Sequence, residues 1–201
     1  MVVSMTRAEA DLDPYRTRIA RCVSDGIRDF LTEQAPTLAF MRRGTQASMV
    51  RDYIVRNVRR EFPDGEDGIT HKDRRGLFLL TIGNRYALRF KKLNPRFRTS
   101  NTATQLTLDY LLQRPLQLFP ELDEVAHLNV GYQPEATLAN STVWITCPNG
   151  DKLEWKFSIS GDDEPEWMTD RRRPDAPAPA QSGAGVRPRK TPRVALDGSS
   201  R

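Results

Sequence analysis

Cysteine and histidine are scarce in this 201-residue chain: Cys22, Cys147, His71 and His127 are all there is of either. They form no Cys-x-x-Cys or His-x-x-x-His spacing, so neither a disulfide framework nor a local zinc site is expected, and no metal is assigned. The two thiols read as buried side chains in a reducing compartment. No apolar run approaches the roughly 18 residues of a membrane-spanning helix. The opening MVVSMTRAEADLD meets acids before any long apolar stretch, so a cytoplasmic protein without span or secretory signal is expected. Gly-rich phosphate loops, G-x-S-x-G and H-E-x-x-H are missing, which leaves nucleotide-driven and triad chemistry unsupported. Helix-turn-helix, RNP-type and zinc-finger signatures are missing too.

What is present is a basic hairpin, LFLLTIGNRYALRFKKLNPRFR, from Leu77 to Arg98. An apolar strand turns at Gly83-Asn84 into a strand whose Tyr86, Leu88 and Phe90 share one face, which places Ala87, Arg89 and Lys91 on the other. One side should be core and the other an open positive ribbon. Arg85 leads into it, and Lys92, Arg96 and Arg98 continue it past Pro95.

The net charge of +5 hides a sharper division. The last 33 residues carry eight basic and three acidic side chains, so the tail accounts for the whole excess. Within the neutral remainder, Arg42 to Arg98 holds fifteen basic and six acidic residues, a balance of +9, while Thr99 to Met168 holds three and eleven, a balance of −8. An electropositive surface facing an anionic partner is one reading; mutual neutralisation across one fold is the other.

Asp13-Pro14 reads as the start of an amphipathic helix running to Glu33, with Asp13 as N-cap, apolar residues from Ile19 to Leu31 at helical spacing, and Pro36 beyond its end. A second helix is expected from Thr45 to Phe62, burying Val50, Ile54 and Val58 and exposing Arg51, Arg56, Arg59 and Arg60. A polar loop from Pro63 to Asp73 precedes the hairpin. Ser100 should cap a third helix carrying Leu106 and Tyr110. His127 to Tyr132 reads as a strand, and VWITC, Pro-Asn-Gly-Asp and KLEWKFSI as a last hairpin with Val143, Ile145, Cys147, Leu153, Trp155 and Phe157 inward. The expectation is an α+β domain over residues 1–165: N-terminal helices, then a largely antiparallel sheet of about five strands with one inserted helix. Residues 166–201, rich in Pro, Ala, Gly and Arg, are expected to be a disordered basic tail. The mean hydropathy of −0.61 fits that appendage.

Three constellations could carry chemistry. The basic hairpin, through Arg85, Arg89, Lys91, Lys92, Arg96 and Arg98, could grip a phosphate backbone together with the arginines of the second helix, with Phe90, Phe97 and Trp144 stacking on bases; a solvated basic face is the plainer alternative. The segment RTSNTATQ could hold an anion at a helix N-terminus beside Arg96 and Arg98; simple capping by Ser100 explains it equally. Asp151, Glu154 and Lys156 follow the spacing of PD-(D/E)xK nucleases, the only reading that would call for a cofactor, Mg²⁺. Here the acid lies in a turn instead of on a preceding strand, and Glu-x-Lys on the wet side of a hairpin is ordinary.

Four segments, YALRFKKL, SNTATQ, HLNVGY and VWITCPNGDKLEW, together resemble a family of small bacterial proteins. These are encoded beside a regulator that combines a helix-turn-helix domain with an ImmA/IrrE-type metallopeptidase domain. The gene pair resembles toxin–antitoxin antiphage systems of the RosmerTA type. The resemblance spans roughly residues 76 to 158 and brings no catalytic residues with it. It implies a cytoplasmic toxin held inactive by a cognate antitoxin with those two domains. Whether such a toxin is an enzyme stays open. The alternatives are a nucleic-acid-binding accessory protein and a Mg²⁺-dependent nuclease.

Overall fold

The structure is a computed structural model and describes residues 3–100 and 104–160. The tail expected over 166–201 lies outside the described residues. Helix α1 spans Met5–Leu12, with the Ser4 hydroxyl accepting from the Arg7 N–H. A 3-10 turn over Asp13–Tyr15 joins it to α2, Arg16–Glu33. The expected helix start at Asp13 is therefore corrected: Asp13-Pro14 is a junction between two helices, because a 3-10 turn tolerates the fixed φ and missing N–H of proline. Helix α3 covers Arg43–Glu61, close to the expected span.

Helices α2 and α3 pack face to face, and Gly26 is where they touch. A Cβ there would lie 2.7 Å from the backbone N and Cα of Ile54. This explains a glycine inside a helix, where it otherwise costs about 0.5–1 kcal/mol relative to alanine.

Six strands follow: β1 Ile69–Arg74, β2 Leu77–Ile82, β3 Tyr86–Lys92, β4 Ala126–Pro134, β5 Ser141–Asn149 and β6 Lys152–Ser158. They lie side by side in chain order. Every neighbouring pair is antiparallel except β3 and β4, which run parallel. The α+β class and the inserted helix are as expected, and the sheet gains one strand. That strand, β1, lies within the stretch read as a polar loop; it is an edge with only Ile69 fully buried.

The chain between β3 and β4 carries α4, Gln105–Leu111. Its N-cap is Thr104, whose Oγ1 accepts from the Thr107 N–H at 3.2 Å, not Ser100 as expected. Helices α1 to α3 cover one face of the sheet, joining Ile19, Phe30, Ile54 and Phe62 to Leu80, Leu88, Val130 and Ile145 in the main core. The α4 segment covers part of the far face with a second cluster, in which Tyr110, Leu116 and Phe119 sit over Leu77, Leu79 and Ala87. Each such buried side chain stabilises by about 1.5–3 kcal/mol.

Polar anchors fix the α4 segment to the parallel pair. The Tyr110 hydroxyl lies 2.9 Å from the Ala87 carbonyl and 2.6 Å from that of Leu128, so it can donate to either strand. The Gln113 amide donates to the carbonyls of His127 and Pro148 and accepts from the His127 N–H.

The helix crossing supplies a prediction. Gly26→Ala should destabilise the fold, since overpacking against backbone costs about 1–3 kcal/mol and exceeds alanine's helix advantage of roughly 0.5–1 kcal/mol. Urea denaturation measures this, and a variant as stable as the parent would contradict the close approach.

Candidate functional site

The basic ribbon on β3 alternates as expected, but its outward face is not open. Ala87 is fully buried beneath the α4 segment, and the Arg89 guanidinium lies 5.6 Å from the centre of the Tyr110 ring. The expectation of a freely solvated positive face is corrected on this point. Arg89 is half-buried, and its Nη1 has no hydrogen-bond partner. Lys91, the next residue on that side, is also half-buried.

The other four ribbon residues separate. Arg85 reaches back to Asp11 at 3.3 Å, where Arg7 and the Tyr86 hydroxyl also converge, so its charge is matched. Lys92, Arg96 and Arg98 are exposed and form no ion pair among the described residues. Arg96 and Arg98 ride on a tight loop in which the Asn94 side-chain oxygen accepts both their backbone N–H groups, at 2.8 and 3.0 Å. The arginines of α3 part company as well. Arg56 pairs with Asp29 and Glu33, and Arg59 with Asp73, while Arg60 donates to Asn57.

Strand register aligns Arg89, Asn129, Thr146 and Lys156 in one row across the far face. Asn129 is 3% exposed, and its Oδ1 has no partner. Lys156 ends the row between two rings, its Nζ 3.6 Å from the centre of Phe97 and 4.3 Å from that of Trp144. The rings meet edge to face at 4.9 Å. The bases that Phe97 and Trp144 were expected to stack on would therefore compete with Lys156, and Phe90, 1% exposed, is core.

The nuclease-like residues do not converge on one point. Glu154 accepts from the Asn149 amide at 2.6 Å, while Asp151 lines a small cavity of about 80 Å³ shared with Arg98, Asn129 and Thr146. Among the described residues no group of three or more His, Cys, Asp or Glu side chains is placed to hold a metal ion. The anion pocket expected at RTSNTATQ has only a seven-residue helix behind it.

Burial sets the ionisation of the site. Lys91 is pushed down to about 8, first by burial and then by its neighbours Arg89 and Arg51. Burial also lowers Arg89, with Tyr110 acting against it. His127, stacked on Tyr110 at 4.7 Å, is lowered to about 4 by burial and stays neutral at physiological pH. Both cysteines are free, buried and raised to about 12, which makes them poor nucleophiles.

Sequence reasoning missed Arg43, which meets Lys91 and Lys92 around one cleft. Helical spacing says nothing of how close α3 comes to the end of β3. Among the described residues no helix is long and apolar enough to cross a membrane. No family model, curated protein or solved structure matches the chain.

The Lys91 environment predicts a pH effect. Its value lies at about 8 in the fold against 10.5 for a free lysine, so between those limits the folded chain binds fewer protons than the unfolded chain and stability rises with pH. Lys91→Met, which keeps the aliphatic stem, should raise the melting temperature at neutral pH by about 2–4 °C and flatten the rise above pH 8. An unchanged melting temperature would show that this charge carries no folding cost.

Proposed function

We propose that this chain is the toxin component of a bacterial two-gene toxin–antitoxin antiphage module, acting in the cytoplasm and held inactive by its partner. The partner is a cognate antitoxin with helix-turn-helix and ImmA/IrrE-type metallopeptidase domains. One observation supports the reading beyond the resemblance itself. The segments YALRFKKL, HLNVGY and VWITCPNGDKLEW, scattered along the chain, occupy β3, β4 and the β5–β6 hairpin, which are consecutive in the sheet. They supply the whole Arg89–Asn129–Thr146–Lys156 row. The resemblance thus falls on one continuous surface, as a shared activity or a shared partner would require. Induced expression of the chain alone should arrest bacterial growth, and co-expression of the adjacent gene should restore it. Normal growth of cells making the lone protein would end the proposal.

A second reading, nucleic-acid binding, is supported by the exposed cations Lys92, Arg96 and Arg98, which form no ion pair among the described residues. Affinity for a single-stranded oligonucleotide should then fall steeply with salt. Replacing Arg96 and Arg98 together by alanine should lower the slope of log K against log salt by about 2, near one per lost phosphate contact. An unaltered slope would remove this loop from the interface.

A further inference from the structure

A cavity of about 770 Å³ opens between the first turns of α3 and the end of β3. Arg43 and Arg51 stand on the helix wall, and Lys91 and Lys92 on the strand wall. No aspartate or glutamate lines it. Ser48, Ser100, Asn94 and Gln133 add neutral hydrogen-bonding groups. We propose that this cleft is a phosphate site, in which Arg43, Arg51, Lys91 and Lys92 grip the phosphate of a nucleotide or of a nucleic-acid strand.

Three observations carry the inference. First, most arginines elsewhere on the helices are matched: Arg7, Arg16, Arg18, Arg28, Arg56 and Arg59 each reach a carboxylate. In the cleft, Arg43, Lys91 and Lys92 form no hydrogen bond or ion pair through their side chains. Arg51 keeps one anchor on the Gly76 carbonyl at 2.8 Å and another on Asp52 at 3.3 Å, which fixes its head in place. Four like charges brought from two elements around one cavity repel one another, and a bound polyanion reverses the sign of that interaction.

Second, the charge is held there against a desolvation penalty. Lys91 is confronted by Arg51 from α3 and Arg89 from its own strand, and its partner in the sheet register is Gly131. Gly131 leaves room for Leu93, whose side chain lies 2.2 Å from where a Cβ would be. Leu93 in turn starts the loop that forms the cleft's rim at Asn94 and Pro95.

Third, an adjoining cavity of about 320 Å³ shares Arg43, Ala47, Lys92 and Pro134 with the first. Tyr132 lines it and is 1% exposed, and its hydroxyl has no hydrogen-bond partner. Glu135 also lines this smaller space, and its carboxylate accepts from Thr142 at 3.0 Å, so the fully cationic wall belongs to the larger cavity. A volume of 770 Å³ suits a nucleotide-sized ligand.

The site rests on neither functional reading above, since Arg43 and Arg51 lie outside both the resemblance and the exposed loop. The full chain is titrated with pyrophosphate, ADP and a labelled single-stranded oligouridine, with uridine as the phosphate-free control. Phosphate probes should bind and uridine should not. Arg43→Ala and Lys92→Ala, both at exposed positions, should each weaken binding about tenfold, the size of one lost charge-assisted hydrogen bond. Binding of ADP and pyrophosphate identifies a free nucleotide as the source, whereas binding of oligouridine alone identifies a nucleic-acid strand. Lys91 adds a signature that a structural role would not give. At pH 8, with Arg43, Arg51, Arg89 and Lys92 all cationic around it, binding should take up protons, seen as a dependence of the calorimetric enthalpy on buffer, and Lys91→Met should abolish that uptake. Failure of every phosphate probe overturns the proposal. So does binding that survives Arg43→Ala and Lys92→Ala but is lost with the loop or tail arginines. Growth assays do not enter the test, so the site and the toxin reading can fail separately.

Discussion

The parallel pairing of β3 with β4 is the constraint on which the rest of the structure depends. Antiparallel neighbours can be joined by tight turns, but parallel neighbours require the chain to return along one face of the sheet. Here the segment from Leu93 to Val125 makes that return, and it covers a face that an unbroken meander would leave wet. The second apolar cluster, the Tyr110 contact with both strands and the Gln113 bridge to β4 and β5 all belong to this crossing. Arg89 and Lys91 lose solvent for the same reason.

The charge arrangement follows a different logic from the packing. Only Lys72–Glu121 joins the basic and acidic halves among the described residues. Much of the matching comes from the N-terminal helices instead, through Asp11, Asp29 and Glu33. These pairs are largely exposed and contribute about 0–1 kcal/mol each, so they do not hold the fold. Apolar burial does, at about 1.5–3 kcal/mol for each large core side chain. A sheet so anchored tolerates Arg89, Lys91, Lys92 and Arg43 without a carboxylate partner.

The elements with a strong hydrophobic period were legible: α2, α3, β2, β3, β4 and the β5–β6 hairpin all lie where their apolar spacing placed them. β1 was not, because ITHKDR buries only its first residue fully and an edge strand needs no apolar alternation. α1 was hidden by Asp13-Pro14, a start signal that also fits a helix junction. The parallel pair left one readable trace. LFLLTI is buried at every position, and a continuous apolar strand indicates cover on both faces. That trace argued against an open ribbon on the adjoining β3. Arg43 could not be found from spacing, because its role depends on how near α3 comes to the sheet.

The same crossing gives Lys156 a structural explanation. As sequence, Glu154-Trp155-Lys156 suggested a catalytic lysine. In the fold its ammonium is occupied by the faces of Phe97 and Trp144, contacts worth about 0.5–2 kcal/mol where desolvated. Phe97 reaches that position at a φ of +59°, in a loop whose turn is closed by the Asn94 side chain. The clamp therefore ties the start of the crossing to β5 and β6 and fixes Asn94 and Pro95 at the rim of the cationic cleft. Lys156 has a packing role that accounts for its place. Lys91, Lys92 and Arg43 have none: their heads hold nothing in the fold, and Lys91 sits where burial opposes its charge.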